Sequence, residues 1–316
     1  MLTTWPILTV VGLGLFAIGT VVGSFLNVCI YRIPWQKSLV WPGSRCPKCW
    51  NEIAARDNVP ILGWLALRGE CRSCGAPISA RYPLVEALVG ILFAALFVTD
   101  IVYGQRTPWG EVSADVFPIW FYHATLVALL VAATFIDYDL TLIPDEITLT
   151  GMAVGLALGT LWPWARPEPM TMMTHWGGLA VGLAGLLVGG LLTWFVRLVG
   201  TLAVGREAMG FGDVTLMAMI GAYLGWRAAV LTFFLAPFFG LAHALWKLAR
   251  YLGKRLSGAQ SSAADREIPF GPYLSMAAVA LLISWPWLWR IWAKGLFDSL
   301  YMVFWELLEM VSGARR

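Results

Sequence analysis

Eight long apolar stretches constrain this chain more than any other feature. They run over about 6–30, 84–103, 117–136, 146–163, 176–198, 213–225, 227–247 and 272–289. A bilayer interior of ~30 Å takes roughly 20 apolar residues of helix to cross, and backbone groups inside it must bond to one another. The expected fold is therefore an all-α polytopic membrane protein with about eight transmembrane helices. Composition agrees: 59% of the 316 residues are apolar and 13% are charged, about half the charged fraction of a soluble domain. Eighteen Trp and nine Tyr suit the two bilayer interfaces, where amphipathic rings settle. The pair within 213–247 also reads as one helix broken at Gly225, which would invert everything after it. A net charge of +3, with no basic run interleaved with exposed aromatics, argues against nucleic acid as a partner.

Charge sets the orientation. Residues 1–31 hold no Lys or Arg, and the first apolar stretch is too long for a signal-peptide core, so it reads as a spanning helix rather than a cleaved leader. With the N-terminus outside, the cytoplasmic segments are 31–83, 137–145, 199–212 and 248–271. The first carries eight basic residues: Arg32, Lys37, Arg45, Lys48, Arg56, Arg68, Arg72 and Arg81. The proposed outer segments carry only Arg106, Arg166, Arg227, Arg290 and Lys294. This is the positive-inside bias of an inner-membrane protein. The stretch 256–267 reads as a flexible loop, and 296–311 as an interfacial amphipathic helix.

Four of the five cysteines fall in the first cytoplasmic segment, as Cys46-Pro-Lys-Cys49 and Cys71-Arg-Ser-Cys74. Two such knuckles match a tetrathiolate zinc ribbon, each offering two thiolates to one edge of a tetrahedron. Two disulfides or four free thiols are the alternatives; a cytoplasmic location argues against disulfides. Four sulfurs would close the coordination shell, so the zinc expected here is structural. Gly75 is placed to supply the turn after the second knuckle. Cys29 lies within the first span and reads as a packing residue.

Acidic residues cluster at cytoplasmic helix ends. The third span runs into Ile136-Asp137-Tyr138-Asp139, followed by Ile143-Pro144-Asp145-Glu146. Asp145 reads as a cap or first-turn acid, and Asp139 as a solvated loop acid. Asp137 abuts the helix directly, where a carboxylate is costly unless it faces a cavity or a partner. The second acid, Asp213, follows Gly210-Phe211-Gly212 and opens an apolar helix. From the residues alone it is either an ordinary helix cap or one of a catalytic pair. Two carboxyls that converge cannot both ionise easily and would share a proton, which is the aspartic-protease arrangement. His123, His175 and His243 are isolated and read as packed or hydrogen-bonded. No G-x-S-x-G, H-E-x-x-H or G-x-G-x-x-G is present.

Taken in order, these motifs resemble the type IV prepilin leader peptidases, which are G-x-G-D aspartic membrane proteases. The resemblance spans Gly23-Ser24-Phe25-Leu26-Asn27-Val28, Tyr31-Arg32-Ile33-Pro34, both cysteine pairs with Asn58-Val59-Pro60-Ile61 between them, and Arg81-Tyr82-Pro83-Leu84-Val85-Glu86. It continues through Ile136-Asp137, Ile143-Pro144-Asp145, Gly210-Phe211-Gly212-Asp213 and Ile268-Pro269-Phe270-Gly271-Pro272-Tyr273. It implies that Asp137 and Asp213 are the catalytic pair and that Cys46, Cys49, Cys71 and Cys74 belong to the loop of double-activity members. It also implies that a basic leader is cut from prepilins or pseudopilins after a glycine at the cytoplasmic face. Methylation of the new N-terminus with S-adenosylmethionine is the further implied activity. Glu86, Arg81, Arg206 and Glu207 are polar participants open to that reaction, and Asp139, Asp145 and Glu146 are open to attracting the leader.

The expected organisation is a first transmembrane helix (1–30), a cytoplasmic four-cysteine zinc-binding loop (31–83), a transmembrane aspartic peptidase bundle (84–295) and an amphipathic C-terminal segment (296–316). Two rival readings remain. A proton-coupled transporter would need acids deep within several spans. A non-enzymatic scaffold with a zinc loop would leave both acid blocks unexplained.

Overall fold

A computed structural model describes residues 5–102, 116–167, 174–256 and 269–312. Each of the eight apolar stretches forms a helix, as a backbone withdrawn from water must. These are α1 (Trp5–Arg32), α3 (Arg81–Phe97), α4 (Val116–Leu140), α5 (Asp145–Leu161), α6 (His175–Val204), α7 (Phe211–Leu224), α8 (Trp226–Leu256) and α9 (Gly271–Leu288). A short α2 (Leu62–Ala66) lies in the cysteine loop, and α10 (Lys294–Ser312) follows α9. Among the described residues the only β pairing is two isolated bridges, Arg45–Glu52 and Glu70–Pro77.

Among the described residues, five helices are long and apolar enough to cross a membrane: α1, α3, α4, α6 and α8. A sixth arises only if α9 and its continuation count together, and these are bent by 83°. The bend turns α10 off the α9 axis, in keeping with a surface-lying segment rather than a ninth span. The 17 residues of α5 and 14 of α7 give only about 26 and 21 Å. Protein rather than lipid surrounds α7, since every residue from Leu216 to Leu224 is buried. The chain is a multi-pass membrane protein. The loop expected at 256–267 lies, apart from Leu256, outside the described residues, as do Arg106, Arg266 and Ile268.

Helix directions follow from which residues meet. α1 and α3 run antiparallel, since Gly19 faces Gly90 while Gly23 faces Glu86. α3 and α4 join at both ends, through Arg81–Asp139 and through Asp100–His123. α6 opposes α7, with Gly185 on Gly221 and Gly189 on Met217. Gly189 also meets Ala229 of α8. Twelve residues separate Met217 from Ala229, about 18 Å along a straight helix, so the chain must double back between them. It does so at Gly225, whose φ of 84° suits glycine alone among common residues. The ambiguous pair is therefore two antiparallel helices rather than one long broken helix.

The tightest approach is α6 on α7, where a Cβ at either Gly185 or Gly221 would overlap the other's carbonyl. Small residues of this kind let membrane helices pack backbone to backbone. At the far end of the bundle, Arg166 departs from its expectation as an outer-loop charge. It is buried and donates to the carbonyls of Gly155, Gly159, Gly178 and Ala222 at 2.6–3.3 Å. The carbonyls of Gly159 and Ala222 lie in the last turns of α5 and α7, where they lack intrahelical partners, and this guanidinium ties them to α6 through Gly178.

Candidate active site

The two acids reach the same end of the bundle from helices that run in opposite directions. Asp137 sits in the last turn of α4 and Asp213 in the first turn of α7, and both are buried. The element between them is Ile143. Gly212 lies against the Ile143 Cβ, and Gly271 lies against both the Ile143 Cδ1 and the Asp137 Oδ2. The charge of Asp137 acts on Asp213 through space. Residues far apart in the chain thus gather around one isoleucine.

Backbone holds the Asp137 carboxyl. Gly271 N–H donates to Asp137 Oδ2 at 3.1 Å. A Cβ at Gly271 would stand 2.6 Å from that oxygen, so the first residue of α9 must be glycine for the bond to form. The cap position of α7 is Gly210, not Asp213. Asp213 stands three residues further on, the third residue of the helix, with its Oδ2 close to Gly210. Reading Asp213 as a simple N-cap therefore misplaces it. The sequence motif around Gly271 is visible in the chain, but nothing local marks that glycine as a partner of Asp137.

The neighbouring acids divide. Asp139 is not a free loop acid: Arg81, at the start of α3, donates to both its oxygens at 2.9 and 2.7 Å and lies over the Phe135 ring. Asp145 and Glu146 are exposed in the first turn of α5, where a helix N-terminus favours acids. Glu207 is paired with Arg197 at 2.7 Å, and Arg206 is exposed. Glu86 is buried on α3 and accepts from Ile61 N–H at 2.7 Å. The three histidines all have partners: His123 with Asp100 and the Ala165 carbonyl, His175 with the Thr160 carbonyl, and His243 with the Tyr273 hydroxyl.

Four cysteine sulfurs of the loop lie within 4.8 Å of one another. Cys46 and Cys74 are 3.9 Å apart, and Cys49 and Cys71 4.0 Å. A tetrahedron with zinc–sulfur bonds of ~2.3 Å has edges of ~3.8 Å, so the set fits such an ion. A disulfide would need ~2.05 Å, and all five thiols are free. The two knuckles are near copies. Cys46 N–H bonds the Asn51 carbonyl and Cys71 N–H the Ala76 carbonyl; Trp50 N–H and Gly75 N–H return to the carbonyls of Cys46 and Cys71. Gly75 turns at φ 67° as expected, but Trp50 takes φ 63° in the first knuckle, where a side chain is strained. Backbone N–H groups of Cys49 and Lys48 pull the Cys46 thiol down to about 6, while Cys74 of the same set is pushed up to about 12 as the sulfurs beside it oppose its ionisation.

Comparison with known proteins matches the sequence to a family. A family description, Type IV leader peptidase family, fits residues 124–245, and another, Bacterial Peptidase A24 N-terminal domain, fits 17–99. A prepilin leader peptidase/N-methyltransferase of Myxococcus xanthus is 34% identical, across 88% of this chain and 91% of its own length. One from Aeromonas hydrophila is 35% identical, across 84% and 89%. The chain belongs to the type IV leader peptidase family. The family match spans α4 to α8 and so includes both acids, while the N-terminal match includes the whole cysteine cluster. Family membership leaves the transporter and scaffold readings without support. No solved structure matches the chain.

Proposed function

We propose that this chain is a membrane aspartic endopeptidase that removes the basic leader from type IV prepilins or pseudopilins, after a glycine, and then methylates the new N-terminus with S-adenosylmethionine. The observation that carries the proteolytic reading is the gathering of Asp137 and Asp213 around Ile143 and Gly271 at one end of the bundle. One carboxylate takes a proton from water as its oxygen attacks the scissile carbonyl. The other carboxyl gives a proton to the departing amine, so the pair ends with its roles exchanged. The Gly271 N–H fixes the Asp137 carboxyl in this exchange. The positive-inside bias supports a cytoplasmic position for this end at the inner membrane, where a basic leader would lie while its apolar helix stays in the bilayer.

Cys46, Cys49, Cys71 and Cys74 would hold one zinc ion that ties the 31–83 loop together, with no open position for chemistry. The edge lengths of the sulfur set favour zinc. Bound S-adenosylmethionine would supply an electrophilic methyl group.

The test is cleavage of a prepilin by purified wild type, Asp137→Asn and Asp213→Asn, with a labelled methyl donor to follow the second reaction. Cleavage by wild type alone is the expected result. Full activity in either variant would remove that residue from the mechanism.

A further inference from the structure

Burial leaves one acid at the cytoplasmic end without a role. Among the described residues the buried acids are Glu86, Asp100, Asp137 and Asp213. Asp100 is paired with His123 at the opposite end, and the last two form the proposed peptidase pair. Glu86 stands in the second turn of α3, 7% exposed. It accepts a hydrogen bond from Ile61 N–H at 2.7 Å, and among the described residues no basic side chain pairs with it. Arg81, one turn away, is committed to Asp139. The other Glu86 oxygen takes no hydrogen bond from the described residues and is not sealed from solvent, so it is open to a cation brought from outside the folded bundle.

The loop around Glu86 is built to keep it there. Ile61 has φ 61° and ψ −54°, and Leu62 N–H reaches back to the Pro60 carbonyl at 2.5 Å. This is a γ-turn of the positive-φ kind, a rare and strained conformation, here on a β-branched residue. Strain of this kind persists where surrounding structure enforces it, and it concentrates at functional sites. The turn aims one amide at one carboxylate oxygen and leaves the second uncommitted. On the other side α1 passes flush, since a Cβ at Gly23 would stand 2.7 Å from the Glu86 Cα.

We propose that Glu86 is the general base of the methyl-transfer reaction: it binds the substrate's new N-terminal ammonium and takes one of its protons. The inference rests on the methyltransferase reading above. An α-ammonium has no lone pair, so it must lose a proton before it can accept a methyl group. That proton passes to the second Glu86 oxygen. The exposed nitrogen lone pair then forms the N–C bond as the carbon–sulfur bond of the sulfonium donor breaks and its electron pair stays on sulfur. The products are a methylammonium, a neutral thioether and protonated Glu86, so atoms and charge balance. The other polar groups open to this task are excluded by their own contacts: Arg81 and Glu207 are paired, and Arg206 is exposed and cationic.

Glu86→Gln is the informative variant, because its amide oxygen can still accept from Ile61 and preserve the turn. Full-length protein in detergent would be given a synthetic peptide of a mature pilin N-terminus, already bearing its free amine, with labelled methyl donor. Bound zinc and the thermal midpoint would report an intact loop. The expected result is a methylation rate at least 100-fold below wild type, the scale of general-base catalysis. In a second measurement without methyl donor, wild type should bind the free-amine peptide about 10-fold more tightly than its N-acetylated form, a preference of the size that one charge-assisted contact supplies, and Glu86→Gln should lose it. A Glu86→Gln protein that methylates within about threefold of wild type, well short of a general-base loss, would overturn the proposal and leave Glu86 as a turn anchor. Equal binding of both peptides by wild type would overturn it as well. A wild type that transfers no methyl group at all would instead sink the methyltransferase reading, and the proposal with it.

Discussion

The cysteine cluster and the acid site both lie on the cytoplasmic side of the proposed topology and are built in opposite ways. The cluster is local. Its four sulfurs come from one stretch of chain, and each knuckle closes through backbone bonds spanning five residues, Cys46 to Asn51 and Cys71 to Ala76. The acid site is assembled from three helix ends and a connecting isoleucine, and its contacts join residues from separate elements of the chain. A local centre depends on its metal and its turns. An assembled one depends on how the helices pack far from it.

The largest expected effect breaks the bundle while sparing the loop. Gly221→Leu would force α6 and α7 apart, at a cost of about 3 kcal/mol or more for overpacking. Cleavage should vanish and the thermal midpoint fall, while metal analysis still finds zinc in the protein. If zinc is lost along with activity, the two centres are not independent.

Next come the acids themselves. Asp137→Asn and Asp213→Asn should each lower prepilin cleavage by about 10²–10⁴-fold with zinc content unchanged. Gly271→Ala should act in the same direction but less strongly. Its methyl group would displace the Asp137 carboxyl, and a misplacement on the order of 1 Å costs about 100-fold in rate. The effect should fall mainly on kcat; a change confined to KM would refute the positioning role given to Gly271.

Metal removal sharpens the comparison from the other side. Paired Cys46→Ser and Cys49→Ser changes should abolish bound zinc and expose the loop to protease, since metal binding supplies folding energy to small loops. Cleavage should fall less than in either Asp variant. The smallest effect expected is a gain: Trp50→Gly would relieve the positive φ of the first knuckle, worth roughly 1 kcal/mol, and should raise the loop's resistance to chelators. No change, or a loss, would mean the Trp50 side chain contributes more than its backbone costs.

Legibility in the sequence tracks this division. Eight helices and the sulfur set follow from hydropathy and from spacing, both of which are properties of contiguous residues. The least secure boundary, at Gly225, is undecidable locally because a glycine serves either as a kink or as a reversal; only the shared contact of Gly189 with α7 and α8 separates them. Arg166 reads as an outer charge because nothing adjacent reveals four carbonyl acceptors. Asp139 reads as a solvated acid because its partner Arg81 lies 58 residues earlier.

By itself the sequence determined that this protein is a multi-pass helical membrane protein with a four-thiol loop and acids at its helix ends, because hydrophobic length and ligand spacing are written along the chain. Only the tertiary structure decided which carboxyls gather at one place, which backbone N–H holds Asp137, and which buried acid is left over. Those outcomes depend on how closely helices approach, and that is set by side chains absent at Gly185, Gly221 and Gly271 rather than by any residue a local reading would single out.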